Sequence, residues 1–547
     1  GVRYLEKPPL LYWLTAASYE AFGTNEVAAR LPVALASVAT ILLAFLLAEL
    51  CFGAGAGLWA GLALALAPGY YLFSQQLMPD TLITALLSLA LYGFLRGFKD
   101  GSASGRWYGL FWAALGLLIL TKGLIGLLFP LGIVFLFLVI ANRLSEVAVL
   151  RPGRGLLVTL AIAAPWHVMV GLLNPGFAWF YFINEHVLRF LGLRYPKDYG
   201  TVPLAAFWGM HVAWFYPWLL LLPLGVGLPS VKGIWRRVRS ASGVGADRAG
   251  DASTLPGPEG RWPLTAFPAI WALVVLLFFS FSTRLEYYSL PAYPALAVLL
   301  GGAIARLTRR PEGLPSRRFV GACAVMAAVG ALAQVAAIAL LAYVHRYQGA
   351  SQSLIDPKAP YNIYFFSPVL ELSPRAFHVM EPSILAISGA LFLGSLAAYL
   401  LARGGRSTKA LAALVLSSLV VLPGIQLCNA AFGDDLSSRS LAAAYRQAAS
   451  KDDLLVVDGQ FELHSSLAFY SGHQLLIREG RKGYLWWGSR YPDCPKVFLT
   501  DAQFGELWNG PRRVFYVSRQ GAPPPMGPRR PRRVAASDNQ LLMDNQG

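Results

Sequence analysis

The chain has 547 residues, 56% of them hydrophobic and 14% charged, with 15 Trp and a formal net charge of +17. This composition lies outside the soluble globular range and describes a polytopic α-helical membrane protein. The positive charge does not point to nucleic acid, because Lys and Arg sit in short tracts between apolar runs, and Cys51, Cys323, Cys428 and Cys494 show neither a disulfide framework nor zinc spacing.

At the N-terminus, Arg3-Tyr4-Leu5-Glu6-Lys7-Pro8-Pro9 runs straight into apolar sequence. Charge beside a membrane domain is costly, so the segment reads as a site. Residues 9–22 are too short to span and, with Tyr12, Trp13 and Tyr19 among aliphatics, predict an interfacial helix on the outer leaflet. Twelve apolar runs follow at roughly 31–51, 54–73, 81–98, 107–120, 124–141, 155–173, 203–228, 264–282, 291–308, 319–344, 382–402 and 408–430. Basic residues collect in alternate loops (Arg96 to Arg106, Arg143 to Arg154, Lys232 to Arg261, Arg306 to Arg318, Arg403 to Lys409), which the positive-inside rule makes cytoplasmic. The loops at 74–80, 121–123, 174–202, 283–290 and 345–381 then face the other compartment, with the N-terminal cluster and everything after 430.

Beyond the last run, Leu454-Leu455-Val456-Val457 and Val514-Phe515-Tyr516-Val517 read as strands around a helix-like stretch near 461–470. The chain thus divides into an N-terminal loop and juxtamembrane helix over 1–30, a transmembrane domain over 31–430, a small α/β domain over 431–520 and a Pro- and Arg-rich tail over 521–547, expected to be disordered. The Gly-, Ala-, Ser- and Asp-rich loop at 240–260 is expected to be flexible. No Walker or GxGxxG fingerprint is present.

Ionisable residues converge on the outer ends of the spans. Asp80, in Met78-Pro79-Asp80-Thr81, reads equally as a helix N-cap or as a carboxylate that activates an acceptor hydroxyl. Lys122 reads as a snorkelling lysine or a site residue. In Trp179 through Phe190, a helix would set Glu185 against Arg189, four residues on, and the aromatics fit an interface belt as well as a cavity. Lys7, Arg189 and Arg194 together could clamp a phosphate headgroup. Arg284, Tyr287 and Tyr288 mark a charged, hydroxyl-rich turn on the same face. Glu6 and His186 form a partial metal set, short of a site, for a divalent ion; His167, His211, His345 and His378 read as interfacial or packed, and His464 and His473 belong to the terminal domain. Cations and tyrosines around a membrane-facing hollow suit a lipid-linked phosphate. Glycosyl transfer from a polyprenyl phosphate needs such cations for the leaving group and a carboxylate for the nucleophile, with no nucleotide and no required cofactor.

Taken in order, Arg3-Tyr4-Leu5-Glu6-Lys7-Pro8-Pro9-Leu10-Leu11-Tyr12-Trp13, Arg30-Leu31-Pro32, Met78-Pro79-Asp80, Leu120-Thr121-Lys122-Gly123, Glu185-His186-Val187-Leu188-Arg189-Phe190 and Tyr288-Ser289-Leu290-Pro291-Ala292-Tyr293-Pro294 resemble successive motifs of the ArnT and PMT-like GT-C glycosyltransferases, most nearly the 4-amino-4-deoxy-L-arabinose lipid A transferase type. The resemblance covers about the first 300 residues. It implies a thirteen-span GT-C enzyme of the bacterial inner membrane, with its active site and C-terminal domain periplasmic, moving a sugar from an undecaprenyl phosphate carrier to a lipid or other glycan acceptor. It also implies that Lys7 contacts the carrier phosphate, that Arg189 and Tyr288 line the donor pocket, and that Asp80 and Lys122 flank the cavity; the charge pattern itself adds Arg194 to the phosphate contacts and Glu6, Glu185, Arg284 and Tyr287 to the cavity. The family's acidic pair lies upstream of the Arg-Tyr-x-Glu-Lys segment, so the chain is expected to be an N-terminally truncated transferase, with Asp80 only supporting catalysis and little or no activity. Where relatives commonly have Lys-Leu-Pro, this chain has Arg284-Leu285-Glu286.

Two alternatives stand beside this reading. A protein O-mannosyltransferase-like enzyme would keep the donor site and change the acceptor. A transporter or flippase for a lipid-linked sugar would show paired repeats with broken spans near the midplane, whereas here the ionisable residues gather at one face.

Overall fold

A computed structural model of the chain describes residues 1–101, 105–196, 201–225, 262–346, 374–431, 437–520, 522, 527–537 and 540–547. The expected flexible loop at 240–260 and most of the outer loop at 345–381 lie outside the described residues. Each of the twelve apolar runs contains helix among the described residues: Glu26–Phe52, Ala56–Ala65 with Pro68–Ser74, Pro79–Asp100, Gly105–Lys122, Ile125–Ile140, Pro152–Leu173, Leu204–Trp214 with Trp218–Leu224, Trp262–Phe281, Tyr293–Thr308, Arg317–Arg346, Pro374–Arg403 and Ser407–Ala431. Among the described residues, eight helices are long and apolar enough to cross a membrane, or ten if each of the two bent pairs is one span, against the twelve expected. The difference falls on Gly105–Lys122, which carries Arg106 and Lys122 at its ends, and on Ile125–Ile140, which has only 16 residues. The bends of 64° and 90° fall at Pro68 and at Pro217, where a missing backbone donor interrupts the helical ladder.

Local sequence explains the element ends. The side chain of Asn25 accepts from the Ala28 backbone N–H at 2.9 Å, and Glu26 in the first turn complements the helix dipole of Glu26–Phe52. Close packing between spans needs small residues: a Cβ on Gly301 of Tyr293–Thr308 would strike the Ala56 carbonyl, so this glycine sets how near the two backbones come. Leu157, Val168 and Leu172 of Pro152–Leu173 stay exposed, an apolar surface that a bilayer covers. Ahead of the spans, Leu10–Phe22 forms the expected short helix, with Leu11, Thr15 and Ser18 buried while Tyr12, Trp13 and Phe22 face outward.

The C-terminal region folds around a six-stranded sheet: β1 Leu454–Asp458, β2 Leu475–Arg478, β3 Phe498–Leu499, β4 Val514–Arg519, β5 Arg532–Ala536 and β6 Gln540–Asp544, in the order β3-β2-β1-β4-β6-β5. The first four strands run parallel, and β6 and β5 add antiparallel. Leu455, Val456 and Val457 are all buried because both faces of β1 are covered, one by Arg439–Ala448 and its neighbours, the other by Phe504 and Trp508 of Asp501–Asn509. The expectation of a disordered tail over 521–547 is therefore corrected: β5 and β6 belong to the sheet. The Arg-rich composition misleads because part of it is paired inside the sheet, where buried Asp544 meets Arg532 of the tail at 2.6 Å and Arg513, ahead of β4, at 2.7 Å.

The N-terminal segment ties this domain to the membrane domain. Arg3 pairs with Asp493, donates to the Asn174 side chain at 2.9 Å and lies over the Tyr491 ring at 4.6 Å. Trp487 stacks on Phe180 with ring centroids 4.6 Å apart. The sheet domain thus supports the segment from which the site is built.

Candidate functional site

Five segments meet at one end of the helices: residues 4–7, the first turn of Pro79–Asp100, the end of Gly105–Lys122, the stretch Trp179–Leu188 and the turn at 282–288. Trp179–Leu188 is wound as a π-helix, a rare geometry that recurs at functional sites. The expected Glu185–Arg189 contact forms, at 2.9 Å.

Glu6 is the hub. Its side chain is only 1% exposed, and three cations reach it: Lys7 donates at 2.5 Å, Arg194 at 3.2 Å and Arg189 at 3.3 Å. Burial alone would raise its carboxyl; Lys7, Arg194 and Arg189 outweigh burial and hold it down at about 2. Glu185 shares two of those cations, accepting from Arg194 Nε at 2.8 and 3.0 Å, and the amide of buried Asn184 donates to it at 3.0 Å. Arg189 also donates to the Tyr288 hydroxyl at 3.0 Å. Across the site Lys122 donates to Asp80 at 2.5 Å and sits over the Tyr288 ring at 4.5 Å. Among the described residues, the four cations Lys7, Lys122, Arg189 and Arg194 meet the three carboxylates Glu6, Glu185 and Asp80.

A cavity of about 660 Å³ opens beside this cluster. Glu6, Lys7, Lys122, Glu185, His186, Arg189 and Tyr288 line its polar end, and Leu127, Leu128, Leu131, Phe278 and Phe279 line much of the remainder. Of the expected site residues, four take other places. Arg194 is a strut: its guanidinium is spent on Glu185, Glu6 and the Pro196 carbonyl and does not line the cavity. Arg284 turns away to the carbonyls of Val202, Ser280 and Ser282 at 2.8, 3.0 and 3.3 Å and holds the turn together. Tyr287 packs behind the wall against Phe73 and Tyr288. Asp80 is neither an N-cap, a place taken by Met78, nor a wall residue; it is buried behind Lys122 and positions it, so Lys122 is not a snorkelling lysine either.

Both ring nitrogens of His186 are engaged: Nε2 accepts from the Leu124 backbone N–H at 3.1 Å, and Nδ1 donates to the Tyr181 carbonyl at 2.6 Å. Burial pushes its imidazole below the ordinary value, which keeps the ring neutral for that role. Gly123 makes the contact possible, since its φ of +76° suits glycine and a Cβ there would collide with the His186 ring. Glu6 and His186 both line the cavity, and among the described residues no third His, Cys, Asp or Glu groups with them as a ligand set. The residues the sequence did not signal are Asn184 and the apolar wall. Asn184 was hidden in an aromatic run, and Leu127, Leu128, Leu131, Phe278 and Phe279 look like any span residue until the helices are assembled.

The chain is similar to several known proteins. The family model described as dolichyl-phosphate-mannose-protein mannosyltransferase matches residues 6–169. An undecaprenyl phosphate-alpha-4-amino-4-deoxy-L-arabinose arabinosyl transferase 1 of Pseudomonas fluorescens is 28% identical over 316 residues, 56% of this chain and 50% of that protein. The chain thus spans about half the length of that relative. The corresponding transferase of Aeromonas salmonicida is 26% identical over 513 residues, 92% of this chain and 82% of that protein. The crystal structure of ArnT from Cupriavidus metallidurans bound to undecaprenyl phosphate superposes with a TM-score of 0.74 at 25% identity, covering all of this chain (100%) and 88% of that one.

Proposed function

This chain belongs to the ArnT and PMT-like GT-C family of membrane glycosyltransferases, and on that premise we propose that it moves a sugar, of the 4-amino-4-deoxy-L-arabinose kind, from an undecaprenyl phosphate carrier to a lipid A-like acceptor. One observation carries the reading: a single cavity joins a cationic end, Lys7, Arg189 and Tyr288, to a leucine and phenylalanine groove. An amphiphile with an anionic head and an isoprenoid tail matches both ends at once. A free nucleotide sugar would leave the groove empty, and an uncharged lipid would offer no anion to the cationic end.

In the transfer, the acceptor oxygen bonds to the anomeric carbon while the bond from that carbon to the phosphate oxygen breaks. Charge develops on the departing phosphate, and Lys7, Arg189 and the Tyr288 hydroxyl are placed to stabilise it. Glu6 and Glu185 hold the two cations in place, since without them several positive side chains would repel one another, and Asp80 does the same for Lys122. We infer that this face lies in the periplasm of the inner membrane, a reading supported by the Arg- and Lys-rich sequence at the other ends of the same spans.

The test is direct binding of undecaprenyl phosphate to the purified chain, with undecaprenol as the control that lacks the phosphate. Arg189→Ala and Lys7→Ala each remove a charge-assisted hydrogen bond of about 1.5–3 kcal/mol, an expected loss of roughly 10–150-fold in affinity. Arg194→Lys, which alters the strut alone, is expected to change it by less than about threefold. Equal affinity for the phosphate and the alcohol, or unchanged affinity in both Arg189→Ala and Lys7→Ala, would remove the carrier reading.

A further inference from the structure

We propose that His345, His378 and Glu381 form a transition-metal site, suited to zinc, that clips together the outer ends of helices Arg317–Arg346 and Pro374–Arg403. His345 stands in the last turn of the first helix, and His378 and Glu381 are three residues apart near the start of the second. That spacing puts His378 and Glu381 on one helix face, with the third group arriving from the neighbouring helix. His345 Nε2 lies 3.1 Å from Glu381 Oε2, and His378 Nδ1 lies 3.9 Å from the same oxygen. The three ligand atoms all fall within 4.8 Å of one another, and this is the one group of three or more such residues that converges so among the described residues.

Tetrahedral zinc with bonds of about 2.0–2.1 Å holds its ligand atoms roughly 3.3 Å apart. The spacings of 3.1 and 3.9 Å lie on either side of that value, so the ligand atoms need only small shifts to close on an ion. Two imidazoles and one carboxylate are a donor set that zinc accepts, with a fourth position left for water. The side chains are 47%, 33% and 32% exposed for His345, His378 and Glu381, which leaves an open approach for the ion and its water. Beneath them Val344 and Met380 are buried against Ile384, Cys428 and Ala431, so the two helix ends already sit on a packed base. An ion held there adds a cross-link between two long helices at one end of their packed seam. The role is structural and separate from the cavity, whose lining contains none of the three residues.

The experiment uses the full chain in detergent, stripped with a chelator and titrated with Zn²⁺ against a chromophoric competitor, then with Co²⁺ to read its visible absorption. His186→Gln serves as background, so that any ion near the cavity is not counted. Binding of one equivalent at micromolar affinity or tighter is expected, and His345→Ala, His378→Ala and Glu381→Gln should each weaken it by about 10–100-fold, at least the loss seen when a ligand's hydrogen-bond partner is removed. Zinc should raise the melting temperature of the background protein and not that of the variants, while all elute as a single species. Uptake unchanged in both histidine variants, or binding seen only at millimolar zinc, overturns the proposal.

Discussion

Glu6→Gln tests the electrostatic frame of the site. The substitution keeps the shape of the side chain and removes its charge from among Lys7, Arg189 and Arg194. In the folded protein the carboxyl is held at about 2 against an ordinary 4.5, and at 1.36 kcal/mol per unit the charged form is favoured by about 3 kcal/mol. The depressed folded value means that this stability is fully present above about pH 4.5, where the carboxyl is ionised in both states, and is lost as pH falls toward about 2. Unfolding by denaturant in detergent, followed by tryptophan fluorescence, is expected to show Glu6→Gln less stable than the unchanged chain by about 3 kcal/mol at pH 7. The gap should shrink between pH 4.5 and 2, because protonation does to the native residue what the substitution does permanently. A gap below about 1 kcal/mol at pH 7, or one that persists undiminished at pH 2, would refute the idea that Glu6 holds the cations through its charge.

Two further perturbations probe how the site is held. Lys122→Met leaves the buried Asp80 carboxylate without its 2.5 Å partner and is expected to cost about 3–5 kcal/mol, most of it recovered in the Asp80→Asn/Lys122→Met double variant; a double-mutant cycle with coupling under about 0.5 kcal/mol would show the pair to be incidental. Gly488→Ala drives a methyl group into the Arg3 carbonyl, a backbone atom that cannot swing aside, and should cost about 1–3 kcal/mol and weaken carrier binding by displacing the segment that carries Glu6 and Lys7. Gly505→Ala, which meets nothing, is the control, and equal carrier affinity in the two variants would separate the sheet domain from the site.

Apolar runs, basic loops and the N-terminal Glu-Lys-Pro-Pro segment made the membrane architecture and the cationic face legible from composition and order alone. Hydrophobic length and charge placement are one-dimensional constraints, and the bilayer imposes them on every span independently of its neighbours. The strand pattern around Leu454–Val457 and Val514–Val517 survived for a similar reason, since β1 and β4 are central and uniformly apolar. Elements defined by pairing did not survive. The polar tail became β5 and β6 through Asp544, and Pro68 and Pro217 bent two runs that read as single spans.

Within the site, residue type told which side chains were chemically able and not which were available. Arg189 and Arg194 look alike in sequence; one lines the cavity, while the other is consumed by two carboxylates and a carbonyl. Asp80 and Lys122 are 42 residues apart and become one unit only when two helices pack. The chain's membrane class, its charged outer face and its candidate cations follow from sequence because they depend on composition along a line. The pairing of Glu6 with three cations, the retreat of Arg194, Arg284 and Tyr287, and the joining of a leucine groove to a phosphate-sized positive end were decided by tertiary structure, because partner, burial and cavity are properties of contacts between distant segments.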